Sequence, residues 1–236
     1  MKRLLLILTL SLTMSLVGCN EHDARYDAGI SLKLAEWRKA TIDSVEYTLL
    51  FDLVANRGVA AVGFTLEKPQ DIIIDFRRTE LVTGVRMFDS NESVEYSLCN
   101  EHIVIPESET RAGRQGFSID FNVDNQSLNR RDEFLYTLLV PERARTLFPC
   151  FDQPDIKAHY RLSLAIPEEW EAVSNTPVTT PEYDAEDWYD LDFGHPLPEG
   201  MKIVSFARTE PLSTYLFSFV AGEFEARTYD DGHHRF

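Results

Sequence analysis

Residues 117–124 read Phe-Ser-Ile-Asp-Phe-Asn-Val-Asp, four apolar side chains alternating without a break with four polar ones. Period two sends Phe117, Ile119, Phe121 and Val123 to one face of an extended chain and Ser118, Asp120, Asn122 and Asp124 to the other. That is the pattern of an antiparallel strand with one face in the core and one in water. The same period recurs on both sides. Val45, Tyr47, Leu49, Phe51 and Leu53 oppose Glu46, Thr48 and Asp52, and Tyr160, Leu162, Leu164 and Ile166 oppose Arg161 and Ser163. Further strands are predicted at 59–67, 71–77, 81–88, 94–98, 133–140, 201–208 and 213–228, separated by turn signals such as Asn56-Arg57-Gly58, Pro69-Gln70 and Ser174-Asn175. Ile30, Leu34, Trp37 and Thr41 fall at helical spacing and predict one short amphipathic helix over 31–40. Many short strands behind a single N-terminal helix make an all-β fold, a sandwich or a saddle-like sheet. Residues 181–200 hold seven acids, three prolines and no Lys or Arg, and read as a long surface loop.

The N-terminus sets the compartment. Lys2 and Arg3 precede an apolar run from Leu4 to Val17, the layout of a secretory signal. The run closes on Leu16-Val17-Gly18-Cys19, the pattern of a bacterial lipobox, so residues 1–18 read as a lipoprotein signal peptide and Cys19 as the lipid-attachment site. The run is shorter than the roughly 18 residues a spanning helix needs, and acyl chains on Cys19 anchor without spanning. The alternative is a plain signal peptide or a short membrane anchor. The chain is expected to be exported and lipid-anchored at a bacterial cell envelope, on its periplasmic or its outer surface. Residues 19–29 read as a polar tether, 30–228 as one β domain, and 229–236 as the start of a linker. The net charge of −16 excludes a nucleic-acid binder, which needs a basic face for phosphates. After lipidation only Cys99 and Cys150 remain, which is no disulfide framework, although a single Cys99–Cys150 bridge is compatible with an oxidising compartment.

The densest stretch is Leu147-Phe-Pro-Cys-Phe-Asp-Gln-Pro-Asp-Ile-Lys-Ala-His-Tyr160. A cysteine nucleophile needs a base or a lowered pKa, and the apolar neighbours Phe148, Pro149 and Phe151 work the other way on Cys150. A catalytic zinc usually comes with two histidines one helical turn apart. None of His22, His102, His159, His195, His233 and His234 is followed by Glu or has a partner four residues on, and the adjacent His233 and His234 would point to opposite sides of a strand. Asp187, Asp190 and Asp192 invite calcium but lack the EF-hand layout. There is no G-x-S-x-G elbow, P-loop or G-x-G-x-x-G. No catalytic residue and no metal ligand is predicted in this chain.

Ala144-Arg145-Thr146-Leu147-Phe148-Pro149-Cys150-Phe151-Asp152-Gln153-Pro154-Asp155-Ile156-Lys157-Ala158 resembles the "A-R-x-x-F-P-C-F-D-E-P-x-x-K-A" stretch of the aminopeptidase N family of zinc metallopeptidases. Ala172-Val173-Ser174-Asn175 resembles the family's "A-x-S-N" turn. Pro211-Leu212-Ser213-Thr214-Tyr215-Leu216 with Phe219-Val220 and Gly222 resembles its "P-M-S-T-Y-L … F-V-x-G" strand, and Val45-x-Tyr47-x-Leu49 its first long strand. The resemblance covers most of 30–228. It implies the family's N-terminal domain: all-β, saddle-like, and packed beside a thermolysin-like catalytic domain as one wall of the substrate groove. Phe148, Pro149, Cys150, Phe151, Asp152, Pro154 and Lys157 then form a structural corner. Pro149 and Pro154 fix φ, the two Phe rings bury, Asp152 accepts from backbone amides, and Cys150 fills space.

The resemblance also implies two departures. The family's zinc ligands and catalytic glutamate lie downstream of this domain, so the chain itself carries no cofactor and zinc is expected in the absent catalytic domain. Val140 stands where many members have a Gln or Glu that holds the substrate's α-amine, leaving Glu142 and Glu133 as nearby candidates. Two functions follow. The first is the N-terminal domain of an exported, lipid-anchored zinc aminopeptidase, reaching peptide substrate through its catalytic domain and the membrane through its anchor, and inactive alone. The alternative is a stand-alone non-catalytic β module that binds a peptide or a partner.

Overall fold

The structure is a computed structural model that describes residues 23–180, 184–225 and 227. The signal segment, Cys19, His22, His233, His234 and the linker expected at 229–236 lie outside the described residues. In chain order the elements begin with α1 (Leu32–Thr41), β1 (Ile42–Asp52), β2 (Arg57–Leu66), β3 (Ile72–Asp75), β4 (Val82–Met87), β5 (Ser97–Cys99) and β6 (His102–Ile105). They continue with β7 (Gly113–Asn122), β8 (Leu128–Arg130), β9 (Phe134–Thr137), β10 (His159–Pro167) and β11 (Glu171–Ser174). The last are α2 (Ala185–Phe193), β12 (Met201–Phe206) and β13 (Phe219–Gly222).

Helix α1 starts where Ser31 caps it, its hydroxyl accepting from the Leu34 amide at 3.1 Å. It runs straight into β1, the spine of a six-stranded sheet ordered β12-β10-β1-β2-β7-β4. This sheet is antiparallel except for β1 and β10, which run parallel with Tyr47 opposite Tyr160 and Leu49 opposite Leu162. A parallel pair needs a long crossover, and everything from β2 to β9 lies between these two strands. The alternating residues read from the sequence all face one way: Tyr47, Leu49, Phe51, Phe117, Ile119, Phe121, Tyr160, Leu162 and Leu164 share a single core.

Two smaller sheets close that core from the same side. One is β3-β6-β5, contributing Ile72, Ile74, Ile103 and Ile105; the other is β11-β13-β9-β8, contributing Leu135, Phe219 and Ala221. The fold is therefore the expected all-β sandwich, with one large layer against two small ones. Its centre is aromatic. The Tyr160 and Phe217 rings stack at 4.7 Å, Tyr47 lies 5.0 Å from Tyr160, and Phe148 meets Phe217 edge-on at 5.7 Å. Each such ring removed from water is worth about 1.5–3 kcal/mol.

Three expectations need correction. Of the loop expected over 181–200, residues 181–183 lie outside the described residues and Ala185–Phe193 is the helix α2. Asp184 caps α2 by accepting from the Glu186 and Asp187 amides, and Gly194, at φ 72°, ends it in the left-handed region. Acids in a first helical turn favour the positive end of the dipole, so the composition that suggested a loop suits a helix start. Tyr189 is buried with Leu50, Val59 and Ala165, which lays α2 on the outer face of the large sheet. Of the tether expected over 19–29, the part from residue 23 is docked: Tyr26 packs with Leu34, Ile73, Cys99 and Val104, and its hydroxyl donates to Asp71 at 2.9 Å. The strand expected over 213–228 shrinks to β13, because Thr214–Leu216 forms a turn of 3-10 helix instead.

Candidate functional site

The Phe-Pro-Cys-Phe-Asp-Gln-Pro stretch is where most of the fold is tied together. The backbone of Cys150 pairs with that of Asp75, Asp75 N donating to Cys150 O at 2.8 Å and Cys150 N to Asp75 O at 3.0 Å. The Phe151 amide donates to the Tyr47 hydroxyl at 2.8 Å and the Asp152 amide to Asp75 Oδ2 at 2.9 Å. Asp152 accepts from the Arg145 amide at 3.1 Å and from the Thr214 hydroxyl at 2.6 Å. Gln153 Nε2 donates to the Ala35 carbonyl in α1 at 3.1 Å. Phe148, Pro149, Cys150, Phe151 and Asp152 are buried, whereas Pro154 and Lys157 are exposed. One short stretch thus holds α1, β1, β3 and the segment before β13.

Behind it lies a charged cluster that sequence reading missed. Arg38, on α1, donates to both carboxylate oxygens of Asp75 at 2.7 and 2.6 Å and to the Ile73 carbonyl at 2.7 Å. His102 places Nδ1 3.0 Å from Asp75 Oδ1 and Nε2 2.8 Å from the Asp27 carbonyl oxygen. Since a carbonyl only accepts, Nε2 carries a proton there. All three side chains are fully buried. Burial pushes the Asp75 carboxyl up, but Arg38 and His102 outweigh it and hold the group at about 2. A charge in the middle of a short helix looks solvated in a sequence, and the 37-residue separation from Asp75 hides its partner. The cluster is structural: all three side chains are sealed from solvent, and their charged atoms face each other and the Ile73 and Asp27 carbonyls.

Cys150 is a free thiol, so no Cys99–Cys150 bridge forms. Burial pushes its pKa well above the ordinary thiol value, with Asp152 and Asp75 adding to the effect. A thiolate is disfavoured there. Among the described residues no three His, Cys, Asp or Glu side chains converge as a metal site. His159 Nδ1 lies 2.7 Å from the Thr209 carbonyl and His195 Nε2 2.7 Å from Arg57, far apart in the fold. Asp192 is taken up by Arg86 at 2.8 Å.

Among the described residues, one exposed sheet face carries a row of large apolar side chains. On β9 and just after it, Tyr136, Leu138 and Val140 point outward while Leu135, Thr137 and Leu139 point into the core. The ladder continues this row, since Tyr136 lies opposite Val220 and Val220 opposite Val173. Phe134 stacks on Tyr136 and meets Phe224. Val173 is 60% exposed and Val140 54%. Large apolar side chains therefore line the outer face of the four-stranded sheet, turned away from the large sheet. A face of this kind is unusual on a monomer and marks an interaction surface.

Val140 sits at its margin, in a cis peptide bond to Pro141. Glu142, two residues on, is exposed and 3.6 Å from Arg145. Glu133 is at the opposite end of β9, roughly 20 Å away at strand rise. Glu133 and Val140 do not share a site; Glu142 and Val140 can.

The family model for the Peptidase M1 N-terminal domain matches residues 57–216, and the chain belongs to that family. A stretch of 84 residues, 36% of this chain, is 39% identical to glutamyl aminopeptidase of Rattus norvegicus and covers 8% of that protein. Mouse glutamyl aminopeptidase is 25% identical over 193 residues, 72% of this chain and 19% of the relative. Aminopeptidase N of Acetobacter pasteurianus is 40% identical over 85 residues, 35% of this chain and 20% of the relative. The chain thus spans a fifth or less of these relatives.

Proposed function

We propose that this chain is the non-catalytic N-terminal domain of an exported, lipid-anchored zinc aminopeptidase that removes N-terminal residues from peptides. The observation that carries the reading is the apolar outer face of β11-β13-β9-β8, with Tyr136, Leu138, Val140 and Val173 in water. A catalytic domain laid on this face covers it and brings Val140 and Glu142 to the edge of the substrate groove. The rigid corner at Phe148–Asp152 then fixes the position of that edge, because it ties β1, β3 and the segment before β13 into one piece.

Zinc, in this reading, belongs to the catalytic domain, where it supplies activation of water. The residues of this chain take no part in that step. Their contribution is the wall and its polarity. Valine at 140 cannot accept a hydrogen bond from a substrate amine, so amine capture falls to Glu142 or to the catalytic domain. The anchor is the acylated Cys19, which keeps the enzyme at the envelope without a spanning helix.

An antibody against the domain, used on blots of source membranes, tests the reading. A band several times heavier than 27.1 kDa is expected. A band at the size of the chain itself would contradict it and leave a stand-alone binding module.

A further inference from the structure

We propose that Asn91, on the turn that follows β4, is the attachment site of an N-linked glycan. The proposal rests on the export reading, since such acceptors are surface loops of exported chains. Two stretches have the acceptor pattern Asn-x-Ser/Thr with x not Pro: Asn91-Glu92-Ser93 and Asn125-Gln126-Ser127. The fold separates them, because a transferase has to reach both the Asn amide and the hydroxyl two residues on. At 125–127 that hydroxyl is out of reach. Ser127 is fully buried with its Oγ 2.5 Å from Thr146 Oγ1, and Asn125 Oδ1 accepts from Arg130 Nε at 2.8 Å.

At 91–93 all three residues are exposed. The turn is held by its backbone alone: the Asn91 amide donates to the Met87 carbonyl at 2.9 Å, the Met87 amide to the Glu92 carbonyl at 2.8 Å, and Ser93 pairs with Arg86. Asn91 stands at φ 58°, in the left-handed region that Asn enters more readily than most residues. Arg86 donates to Asn91 Oδ1, and because a guanidinium only donates, this fixes the amide with Nδ2 left without a partner among the described residues. The Ser93 hydroxyl is equally unengaged there. A glycan has room at this place. Asn91 lines a cavity of about 660 Å³ on the outer face of the large sheet, whose wall includes Phe88, 57% exposed. That face is turned away from the apolar face of β11-β13-β9-β8, so a sugar on Asn91 and a docked catalytic domain do not compete. The transfer balances with a lipid-pyrophosphate-linked glycan as donor. Asn91 Nδ2 attacks the anomeric carbon, the new N–C bond replaces the C–O bond to phosphate, the lipid pyrophosphate leaves, and the proton lost from the amide passes to a base of the transferase.

Mass mapping of the protein purified from its source membranes tests the site. The tryptic peptide 87–111 is expected to carry sugar on Asn91, and the peptide 115–130, which holds Asn125, to carry none. Ser93→Ala, made in the source organism, should lose the sugar completely, and Ser93→Thr should keep it. Ser93 is exposed, so both variants keep the fold, which circular dichroism verifies. Sugar on Asn125, or sugar retained in Ser93→Ala, overturns the selection by exposure. An unmodified Asn91 overturns the proposal. The N-terminal peptide of the same digest tells the two failures apart: an acylated Cys19 with a bare Asn91 sinks the glycan alone, whereas an uncleaved Met1 sinks the export reading with it.

Discussion

Arg38 grips Asp75 with two hydrogen bonds, at 2.7 and 2.6 Å, and neither side chain reaches water. The pair joins the helix that opens the fold to β3, whose Asp75 backbone pairs with the corner at Cys150. Replacing Asp75 by Ala leaves a buried guanidinium without its carboxylate, which costs about 3–5 kcal/mol. Urea unfolding of the full chain should show that loss, and a change below about 1 kcal/mol would mean that the Ile73 carbonyl alone satisfies Arg38.

Two of the buried carboxyls, Asp75 and Asp152, respond to pH in opposite senses. Asp75 is held at about 2, below the ordinary carboxylate value near 4, so its contribution is complete above about pH 4 and is lost as pH falls toward 2. Asp152 is raised, chiefly by burial, with the Thr214 hydroxyl and the Arg145 amide opposing it. Its protonated form favours the folded state, so it lowers stability as pH rises through its folded value. Asp75→Asn should therefore flatten the acid limb of the stability profile between about pH 4 and 2. Asp152→Asn can still accept from the Arg145 amide, and should change stability at neutral pH by less than about 1 kcal/mol. Urea midpoints measured across pH separate the two, and identical acid limbs for wild type and Asp75→Asn would refute the assignment.

Cys150 should be inert in the folded chain. With its thiol buried and its pKa raised, maleimide labels it only after denaturant is added. Mass mapping of the peptide containing Cys150 reads this directly. Cys150→Ser, which buries a hydroxyl among apolar groups, should cost about 1–3 kcal/mol and abolish no activity.

Gly222 marks where β13 and β9 come closest. A Cβ there would fall 2.5 Å from Phe134 Cβ and 2.6 Å from the Glu133 carbonyl oxygen. Backbone cannot move aside as a flexible side chain can. Gly222→Ala should cost about 1–3 kcal/mol and raise amide exchange in β9 and β13 while leaving β1 and β2 protected.

How much of this was legible depended on how each residue is buried. Strands with one wet face announce themselves, as β7 and β10 do through Phe117 to Phe121 and Tyr160 to Leu164. Strand β6 does not, because Ile103 and Ile105 enter one core and Val104 another, leaving no alternation to read. Strand β8, only Leu128–Arg130, is too short to show a period. Helix α2 was masked by its own acids, although Asp184, Gly194 and the aromatic Trp188 and Tyr189 held the signal. The corner motif stood out as a sequence, but its partner Asp75 lies some seventy residues earlier and carries no local mark. The outer face of β9 was visible only once pairing put Tyr136, Val220 and Val173 in one row.

That face is the centre of the account, and its behaviour when uncovered is the most direct measurement. Sedimentation of the full chain should show dimers or larger species, with binding of an apolar dye, because Tyr136, Leu138 and Val173 are exposed together on one sheet face. The triple variant Tyr136→Ser, Leu138→Ser, Val173→Ser should be monomeric, dye-free and equally folded. A wild-type chain that is monomeric and binds no dye would contradict the docking face and, with it, the place of this domain beside a catalytic partner.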